Sequence, residues 1–416
     1  MSFEKDRQYR KFCLYGFLKN LQFFDPYLII FFRDSGLSFL QIGLLFSVRE
    51  LGTNILEIPS GVAADVFGRR RSMIVSFIAY IGSFLLFFFF SHFAVFVAAM
   101  IAFSLGEAFR TGTHKAMILD YLKMKGWTKW KVFYYGHTRS WSQIGSAVSA
   151  VLAALLVFYS GNLRSVFLFT VIPYLAGLVL FITYPKELDG IKASRRDLTK
   201  KLNVLEPWKE AFVELGALMV RSRSRRAFLS SSFFDGFFKA MKDYIQPMIE
   251  GMALSLPILL ALSGQERVAL IIGGVYFILY VGTSQVAKKA GSLAERIGSL
   301  PKAMNGTYLV GILFIFLIGI SYHLGYPAVS VAVFIIYYFL ENLRRPISLG
   351  YVTESIKEEI MATGLSGESQ IKTLFVAILA PAVGMVADLT SLGLALTAVA
   401  AAALLVYPAL RIKSGD

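Results

Sequence analysis

Five charged side chains and a histidine occur within the short stretch GEAFRTGTHKAMILDYLK. Glu107, Arg110 and His114 stand at i, i+3 and i+7, so on one helix they lie within roughly 60° of each other. The apolar run HFAVFVAAMIAFSL leads into this stretch without a break, which is typical of a membrane span. If that span ends near Asp120, Glu107 is about 19 Å deeper, close to the bilayer midplane. Ionisable groups at such depth face a partner or water, so we predict that these three line an aqueous pathway and that Lys115 points away from it.

The composition predicts many such spans. The 416-residue chain is 56% hydrophobic and 17% charged, whereas soluble domains carry about 25% charged residues. Apolar blocks of about 20 residues recur from end to end, and each is long enough to cross a bilayer as a helix. We therefore predict an all-α polytopic membrane protein with twelve transmembrane helices. The expected spans are 12–32, 40–60, 72–91, 94–120, 138–160, 164–184, 228–250, 267–287, 303–323, 327–354, 370–389 and 391–410.

The net charge of +15 lies in short segments between these blocks, such as GRRR at 68–71 and KMKGWTKWK at 123–131. The intervening connections, such as SYHLGYP at 321–327, are nearly free of Lys and Arg. This alternation follows the positive-inside rule, so the basic excess indicates topology and not a nucleic-acid partner. We expect a multi-pass protein of the cytoplasmic membrane with both termini in the cytoplasm.

The sequence carries no motif for catalysis. Cys13 is the only cysteine, which excludes an intrachain disulfide and a cysteine-based metal site. Nucleotide-binding, metalloprotease and serine-hydrolase motifs are missing as well. The first span is too long for a signal-peptide core and is expected to be retained. We expect no enzyme activity, no cofactor and no metal, so any transport draws on a gradient.

Four short matches recur in the same order in the two halves of the chain, at offsets between 220 and 234 residues. The matches are GFLK with GFFK, GVAADVFG with GSLAERIG, Glu107/Arg110 with Glu341/Arg344, and SQI with SQI. Four matches in order are hard to ascribe to chance. We predict two six-helix bundles related by a pseudo-twofold axis and joined by a charged cytoplasmic linker. The bundles are 1–185 and 228–416, and the linker is 186–227.

The stretch GVAADVFGRRR between the second and third spans carries the pattern G-x-x-x-D-x-x-G-R-[RK]. Its positions are occupied by Gly61, Asp65, Gly68, Arg69 and Arg70. This stretch resembles the signature of the major facilitator superfamily. The span count, the long central loop and the degenerate second copy extend the resemblance over the whole chain. In that second copy, uncharged residues stand where the arginines would be.

These motif residues suit a gate at the cytoplasmic surface. Gly61 permits close helix approach and Gly68 a tight turn, while Asp65 can pair with either arginine. The resemblance implies that the cluster also reaches an acid at the cytoplasmic end of the fourth span and helps to hold the gate shut. That acid is Asp120 in the first half, with Glu354 as its counterpart in the second half, where Glu295 stands at the position of Asp65. Topogenic charge is the alternative explanation for the arginines.

Two lysines stand at matched positions inside the first and seventh spans, Lys19 and Lys239. The resemblance implies that helices one, four, seven and ten line a central cavity, in which two ammonium groups would make an anion site. The alternative is that each lysine has a carboxylate partner. Those partners would be an acid such as Glu50 for Lys19, and Asp243 for Lys239.

Further charged residues complete the candidate site. Candidates for substrate binding besides the lysines are Arg49, Glu107, Arg110, His114, Glu341 and Arg344. Asp25, Glu107 and Glu341 are candidates to carry a coupling proton. The alternative is that each repeated Glu/Arg pair is an i,i+3 ion pair that only neutralises itself, and that His114 is a hydrogen-bonded structural group.

The favoured interpretation is a secondary active transporter that moves an anionic or zwitterionic organic solute by alternating access. Its partners would be that small molecule, a coupling H⁺ and the bilayer, with the protein a monomer. The first alternative is a proton-coupled exporter of lipophilic cations, which Glu107, Glu341 and aromatic walls would accept. The second is a receptor or lipid-handling protein on the same scaffold, which binds a ligand but shows no counterflow.

Overall fold

The computed structural model describes residues 4–189, 216, 222–286, 299–356 and 361–413. These residues form α-helices and short 3₁₀ turns and contain no β-strand. The helices are α1 Arg7–Lys19, α2 Leu28–Asp34, α3 Phe39–Phe67, α4 Arg69–Phe89, α5 Phe93–Arg110, α6 Thr113–Met124, α7 Lys131–Ser160, α8 Ser165–Ile182, α9 Ser222–Met241, α10 Ile245–Ser255, α11 Gly264–Val286, α12 Leu300–His323, α13 Pro327–Glu354, α14 Met361–Leu389 and α15 Leu392–Leu410.

Each predicted span coincides with one or two of these helices. Nine helical segments of the described residues are long and apolar enough to cross a membrane. The first, second and seventh predicted spans are not among them, because the first and seventh are interrupted and the second carries several charges within α3. The predicted all-α membrane class is confirmed.

Three spans predicted as continuous helices are broken in the structure. The first is interrupted between α1 and α2 by a 3₁₀ turn at Asp25–Tyr27, and the seventh between α9 and α10 by a turn at Lys242–Tyr244. The fourth breaks between α5 and α6, where Thr111 adopts an extended ψ of 129° and Gly112 a φ of 80°, neither of which continues a right-handed helix. The periodicity of apolar residues did not predict these breaks, because each break depends on the backbone dihedral angles of a few residues.

The segment 250–266 connects the seventh and eighth predicted spans and is helical only in part. The seventh span continues as α10 to Ser255, and Leu256 then adopts an extended conformation with a ψ of 137°. The chain runs without helix to Ser263 and re-enters as α11.

Backbone contacts divide the chain into two compact units. The first unit contains the described residues up to Tyr27 and those from Leu51 to Asp189. The second contains those from Leu28 to Glu50 and those from 216 onward. The predicted bundle and linker boundaries differ from this division for 28–50 and stay a prediction, and most of the linker lies outside the described residues.

The core of the first unit is built around α4, which packs against α5 and α8. Its fully buried side chains are mainly aromatic and include Phe77, Tyr80 and Phe84. Serine hydroxyls tie α4 to the backbone of α5, since Ser76 donates to the Gly106 carbonyl at 2.6 Å and Ser83 to the Ala99 carbonyl at 2.7 Å. The buried face of α4 therefore fixes the position of α5, which carries the first Glu/Arg pair.

In the second unit, α12 packs against α13 and α15. The first half of α3 belongs to this unit, and its N-terminus is capped from α14. The Asp388 carboxylate accepts the backbone N–H groups of Phe39 and Leu40 at 2.9 and 2.8 Å. An acid at a helix N-terminus satisfies donors that have no partner within the helix, so this contact explains where α3 begins.

Candidate functional site

The end of α5 holds a tight cluster of two charges and a tyrosine. An Arg110 guanidinium nitrogen lies 2.5 Å from Glu107 Oε2, and the Tyr80 hydroxyl donates to Glu107 Oε1 at 2.5 Å. Arg110 Nε also donates to the Tyr80 oxygen at 3.2 Å. The Glu107 and Arg110 side chains are 20% and 22% exposed. This pair is therefore an i,i+3 ion pair, with Tyr80 as a third member.

The predicted single stripe of Glu107, Arg110 and His114 is wrong, because α5 ends at Arg110 and His114 belongs to α6. The His114 ring stacks on Tyr15 with centroids 3.8 Å apart, and Phe12 contacts it edge-on at 5.4 Å. Its Nε2 is buried without a hydrogen-bond partner among the described residues. His114 thus packs as an aromatic ring while one polar atom stays unsatisfied.

A cavity of about 440 Å³ lies in the first unit, between α1, the α5–α6 break and α7. Polar side chains and backbone form most of its wall. Its lining residues are Phe12, Tyr15, Gly16, Lys19, Asn20, Arg110, Thr111, Gly112, His114, Lys115, Ile118, Tyr135, Thr138, Arg139, Ser142 and Gln143. We refer to it below as the cationic cavity.

The charged side chains in the described lining of this cavity all have the same sign. Its described lining includes four basic side chains, namely Lys19, Arg110, Lys115 and Arg139, and no acidic one. Arg110 is neutralised by Glu107, so the excess positive charge resides on the other three. Cations held close together without a lining carboxylate form a binding site for an anion.

Lys115 and Arg139 were not among the predicted site residues. Lys115 was expected to point away, but the break at Gly112 changes the direction of the chain, and Lys115 lines the cavity with its Nζ 5.9 Å from the Tyr135 ring. Arg139 lies on α7, on a face that also carries Thr138, Ser142 and Gln143. This run of polar residues inside a membrane span was the signal that could have revealed it.

Lys19, the last residue of α1, lines the cavity and makes no ion pair with the described residues. Glu107 and Asp25 are the carboxylates that interact with it electrostatically. Asp25 itself begins the 3₁₀ turn that separates α1 from α2 and is half-buried. Its predicted role as a proton carrier stays a prediction.

Lys239 has a different environment, in the second unit. Its Nζ lies 2.5 Å from Glu50 Oε2, and Arg49 lies 3.5 Å from the other oxygen of the same carboxylate. Asp243, which the sequence suggested as the partner of Lys239, pairs with Lys242 at 2.5 Å instead. Glu50 thus pairs with two of the residues predicted to bind substrate, Lys239 and Arg49, and their role there stays a prediction.

The second Glu/Arg pair is arranged unlike the first. Arg344 is fully buried and donates to the Met304 carbonyl at 2.5 Å, to Thr307 Oγ1 at 2.7 Å and to Ser230 at 3.3 Å. Its guanidinium also lies 4.3 Å from the centre of the Phe234 ring. These contacts tie α13 to α12 and α9, so Arg344 holds the three helices together.

Glu341 is 6% exposed, and its Oε2 has no hydrogen-bond partner among the described residues. It forms no ion pair with Arg344, although the two are one helical turn apart on α13. The charged groups that interact with it are Asp235, Arg344, Arg345 and Lys372. A buried carboxylate oxygen without a hydrogen-bond donor costs free energy, which sets Glu341 apart from Glu107, whose two oxygens are both hydrogen-bonded.

Two more acids lie near Glu341 that the sequence analysis did not identify. Asp235 on α9 has one buried oxygen without a partner, and its other oxygen lies 3.7 Å from Lys372 Nζ. Glu368 accepts a hydrogen bond from the Ser231 hydroxyl, which in turn accepts one from Ser348 at 2.6 Å. Asp235 stands in the apolar, Phe- and Ser-rich segment LSSSFFDGFF, and a single charge in such a run was the signal available.

The signature between α3 and α4 makes the contacts that its charges suggest. Gly68 adopts a φ of 99° at the turn, as only glycine does readily. Arg69 pairs with Asp120 at the end of the fourth span, as the resemblance implies. The backbone N–H of Arg70 donates to Asp189 at 2.9 Å, and its guanidinium lies 3.9 Å from the same carboxylate.

Other residues of the predicted gate are placed differently. Among the described residues, no atom would lie within 4 Å of a Cβ at Gly61, so the expected close helix approach there is wrong. Asp65 lies in the last turn of α3, before Phe67. Glu354 is exposed at the last residue of α13, and Glu295 lies outside the described residues. Their gating role stays a prediction.

In the described part of the chain, no group of three or more His, Cys, Asp or Glu side chains is arranged to hold a metal ion.

The relatives of this chain are membrane transporters. A family model described as the Major Facilitator Superfamily matches residues 13–367. The uncharacterized MFS-type transporter YxaM of Bacillus subtilis (strain 168) is 26% identical over 161 residues, a match that covers 39% of this chain and 36% of that relative. The chain thus matches little more than a third of the relative's length.

Solved structures resemble the chain over nearly its whole length. The nucleoside transporter NupG has a TM-score of 0.76 at 12% identity, covering 97% of this chain and 98% of that one. A POT family transporter in complex with 5-aminolevulinic acid has a TM-score of 0.68 at 14% identity, covering 98% and 97%. These likenesses confirm the predicted fold class. Because the family model also spans most of the sequence, the chain belongs to the major facilitator superfamily.

Proposed function

We propose that this protein is a secondary active transporter whose substrate carries an acidic group and binds in the cationic cavity. The observation that carries the proposal is the charge of that cavity, with Lys19, Lys115 and Arg139 in excess over any acid of its described lining. The substrate is then an organic anion, or a zwitterion bound through its carboxylate or phosphate.

The neighbouring side chains suit a small polar solute. Gln143, Thr138 and Ser142 add hydrogen-bonding groups to the wall, and Tyr15 and Tyr135 add aromatic faces. A volume of about 440 Å³ is within the range of small-molecule sites. The substrates named for the structural neighbours, nucleosides and peptides, belong to those proteins, so the sign of the charge in the cavity is the guide here.

The test is a binding and counterflow screen of the purified protein with organic anions, zwitterions and lipophilic cations. For an anion that binds, Lys19→Gln and Arg139→Gln should each weaken binding by about 10- to 100-fold, the range for one charge-assisted hydrogen bond. Lys129→Gln is the matched control, because Lys129 is an exposed lysine that does not line the cavity. Unchanged affinity in both cavity variants would overturn the proposal.

We further propose that the coupling ion is a proton carried by Glu341. Support comes from its burial, from the one oxygen that lacks a partner among the described residues, and from the neighbouring acid Asp235. Burial of a polar oxygen without a hydrogen-bond partner is costly, which suits a group that gains and loses a proton during transport. Glu107 fits this role less well, since Arg110 and Tyr80 already stabilise its charge.

Glu341→Gln separates coupling from binding. In proteoliposomes it should abolish transport driven by a pH gradient yet retain substrate counterflow, which needs no net proton movement. Glu187→Gln, which neutralises an exposed acid outside the predicted gate and binding site, should leave both activities intact. Full pH-driven transport by Glu341→Gln would exclude this residue as the proton carrier.

The screen also decides between the proposal and an exporter of lipophilic cations. Cation transport that survives Lys19→Gln and fails in Glu107→Gln would establish the exporter. Ligand binding without any counterflow would instead indicate a receptor on the same fold.

A further inference from the structure

A second basic cavity lies in the second unit, where one end of α12 meets one end of α15. Its volume is about 900 Å³, roughly twice that of the cationic cavity. Its lining residues are Lys302, Asn305, Leu309, Tyr407, Pro408, Arg411, Ile412 and Lys413. None of these described lining residues is acidic. Nothing in the proposed transport mechanism uses this cavity.

The structure holds the basic residues of this cavity in place. Asn305 on α12 donates to the Ile412 carbonyl at 2.8 Å and accepts the Ile412 N–H at 3.0 Å, which clamps the chain after α15 against α12. Ile412 is 3% exposed and packs in a core cluster with Met304 and Tyr351. Arg411 and Lys413 flank this buried anchor and are both exposed, so they stand at the mouth of the cavity.

The cavity lies at a membrane surface. Both α12 and α15 are apolar enough to span a bilayer, and their ends meet here at Leu300 and Leu410. One wall is apolar and exposed, with Leu309 42% and nearby Leu405 81% accessible, which is the character of a lipid-facing surface. The site therefore combines a cationic rim with an apolar flank at the depth of lipid headgroups.

We propose that this cavity binds the phosphate headgroup of an anionic phospholipid. Lys302, Arg411 and Lys413 would surround the phosphate, Tyr407 would lie at the interface, and the acyl chains would run along the Leu309 face. Basic pockets between transmembrane helices at a membrane surface attract anionic headgroups. A tyrosine with an apolar body and a polar tip is suited to the same depth. Tyr407 is held there by stacking on Tyr308, with centroids 5.5 Å apart.

The test uses the full-length protein, purified in mild detergent, delipidated and measured by native mass spectrometry. Phosphatidylglycerol, phosphatidylcholine and inorganic phosphate are added separately. Phosphatidylglycerol should remain bound, whereas phosphatidylcholine should not. Inorganic phosphate should neither bind detectably nor displace the lipid, since it lacks the apolar contacts.

The variants locate the site. Lys302→Gln with Arg411→Gln should weaken phosphatidylglycerol binding by about 30-fold, as expected for the loss of two cations near a lipid surface. Lys302→Arg with Arg411→Lys keeps the charge and should bind lipid as the parent protein does, which guards against a folding defect. Lys129→Gln with Lys131→Gln removes two exposed cations elsewhere and should have no effect.

Equal retention of the two lipids would overturn the proposal. Undiminished phosphatidylglycerol binding by the Lys302/Arg411 double glutamine variant would do the same. Displacement of the lipid by inorganic phosphate would show a site for a free anion. Counterflow through the cationic cavity is a separate measurement, so failure here leaves the proposed transport function standing.

Discussion

The two Glu/Arg pairs of this protein have the same spacing but opposite environments. In the first unit, Glu107 and Arg110 neutralise each other, and Tyr80 bonds to both. In the second, Arg344 reaches across to neighbouring helices while Glu341 is left with an unpaired buried oxygen. A repeated sequence motif can thus supply an ion pair in one half and a protonatable acid in the other.

The difference between the pairs lies in the neighbours that each arginine finds. Arg110 is the last residue of a helix that ends beside the cationic cavity, and it remains 22% exposed. Arg344 lies inside the unbroken helix α13, where its terminal nitrogens donate to the Met304 carbonyl and the Thr307 hydroxyl of α12, while its Nε has no hydrogen-bond partner among the described residues. Neutral acceptors on another helix thus take the place that the Glu107 carboxylate has beside Arg110.

The largest effect should come from removing the two arginines in turn. Arg344→Ala deletes a fully buried guanidinium together with its hydrogen bonds to α12 and α9, and should lower the free energy of unfolding by about 3–5 kcal/mol. Arg110→Ala removes a partly solvated ion pair and should cost about half as much. Thermal unfolding in detergent measures both. Equal losses would mean that the two environments are energetically alike.

Replacing each of the two glutamates by glutamine should change the free energy of unfolding in opposite directions. Glu107→Gln removes the charge that Arg110 and Tyr80 stabilise, and should lower the free energy of unfolding at neutral pH by about 2 kcal/mol. Glu341→Gln replaces an acid that has an unpaired buried oxygen with a neutral amide, and should leave stability unchanged or raise it by about 1 kcal/mol. Denaturation of both variants at pH 7 checks the signs, and a large loss in Glu341→Gln would contradict the assignment.

The smallest change in stability is expected for two tyrosines, one beside each arginine. Tyr80→Phe removes a hydroxyl bonded to Glu107 and Arg110, and should cost about 1–2 kcal/mol of stability. Tyr308 lies 5.7 Å from the Arg344 guanidinium, but its hydroxyl has no hydrogen-bond partner among the described residues. Tyr308→Phe should therefore be neutral within about 0.5 kcal/mol. A comparable loss in both would show an unrecognised partner at Tyr308.

Much of the architecture could be predicted from the sequence. Hydrophobic block length identified every span, and the Arg69–Asp120 contact was implied by the resemblance of one motif. The site was predicted less well, because its residues were projected on a continuous fourth helix. In the structure the extended backbone at Thr111 and the positive φ of Gly112 interrupt that helix, His114 stacks on Tyr15, and Lys115 lines the cavity.

Two helix-breaking residues at matched positions show why the sequence alone did not predict the break between α5 and α6. Pro346 stands at the position of the second repeat that corresponds to Gly112 in the first, yet α13 runs through it unbroken. Proline keeps a helical φ and loses only one backbone donor, whereas glycine can leave the right-handed region altogether. Which of the two interrupts a helix depends on the surrounding packing.

The membrane class and the family could be predicted from the sequence, because they follow from local composition, periodicity and one short motif. Which charges are paired became clear from the folded chain. Glu50 pairs with both Lys239 and Arg49, Arg344 binds neutral acceptors, and Lys19 joins Lys115 and Arg139 around one cavity. The physical reason is that the cost of a charge in the membrane depends on partners that come from other helices, many residues away in the chain.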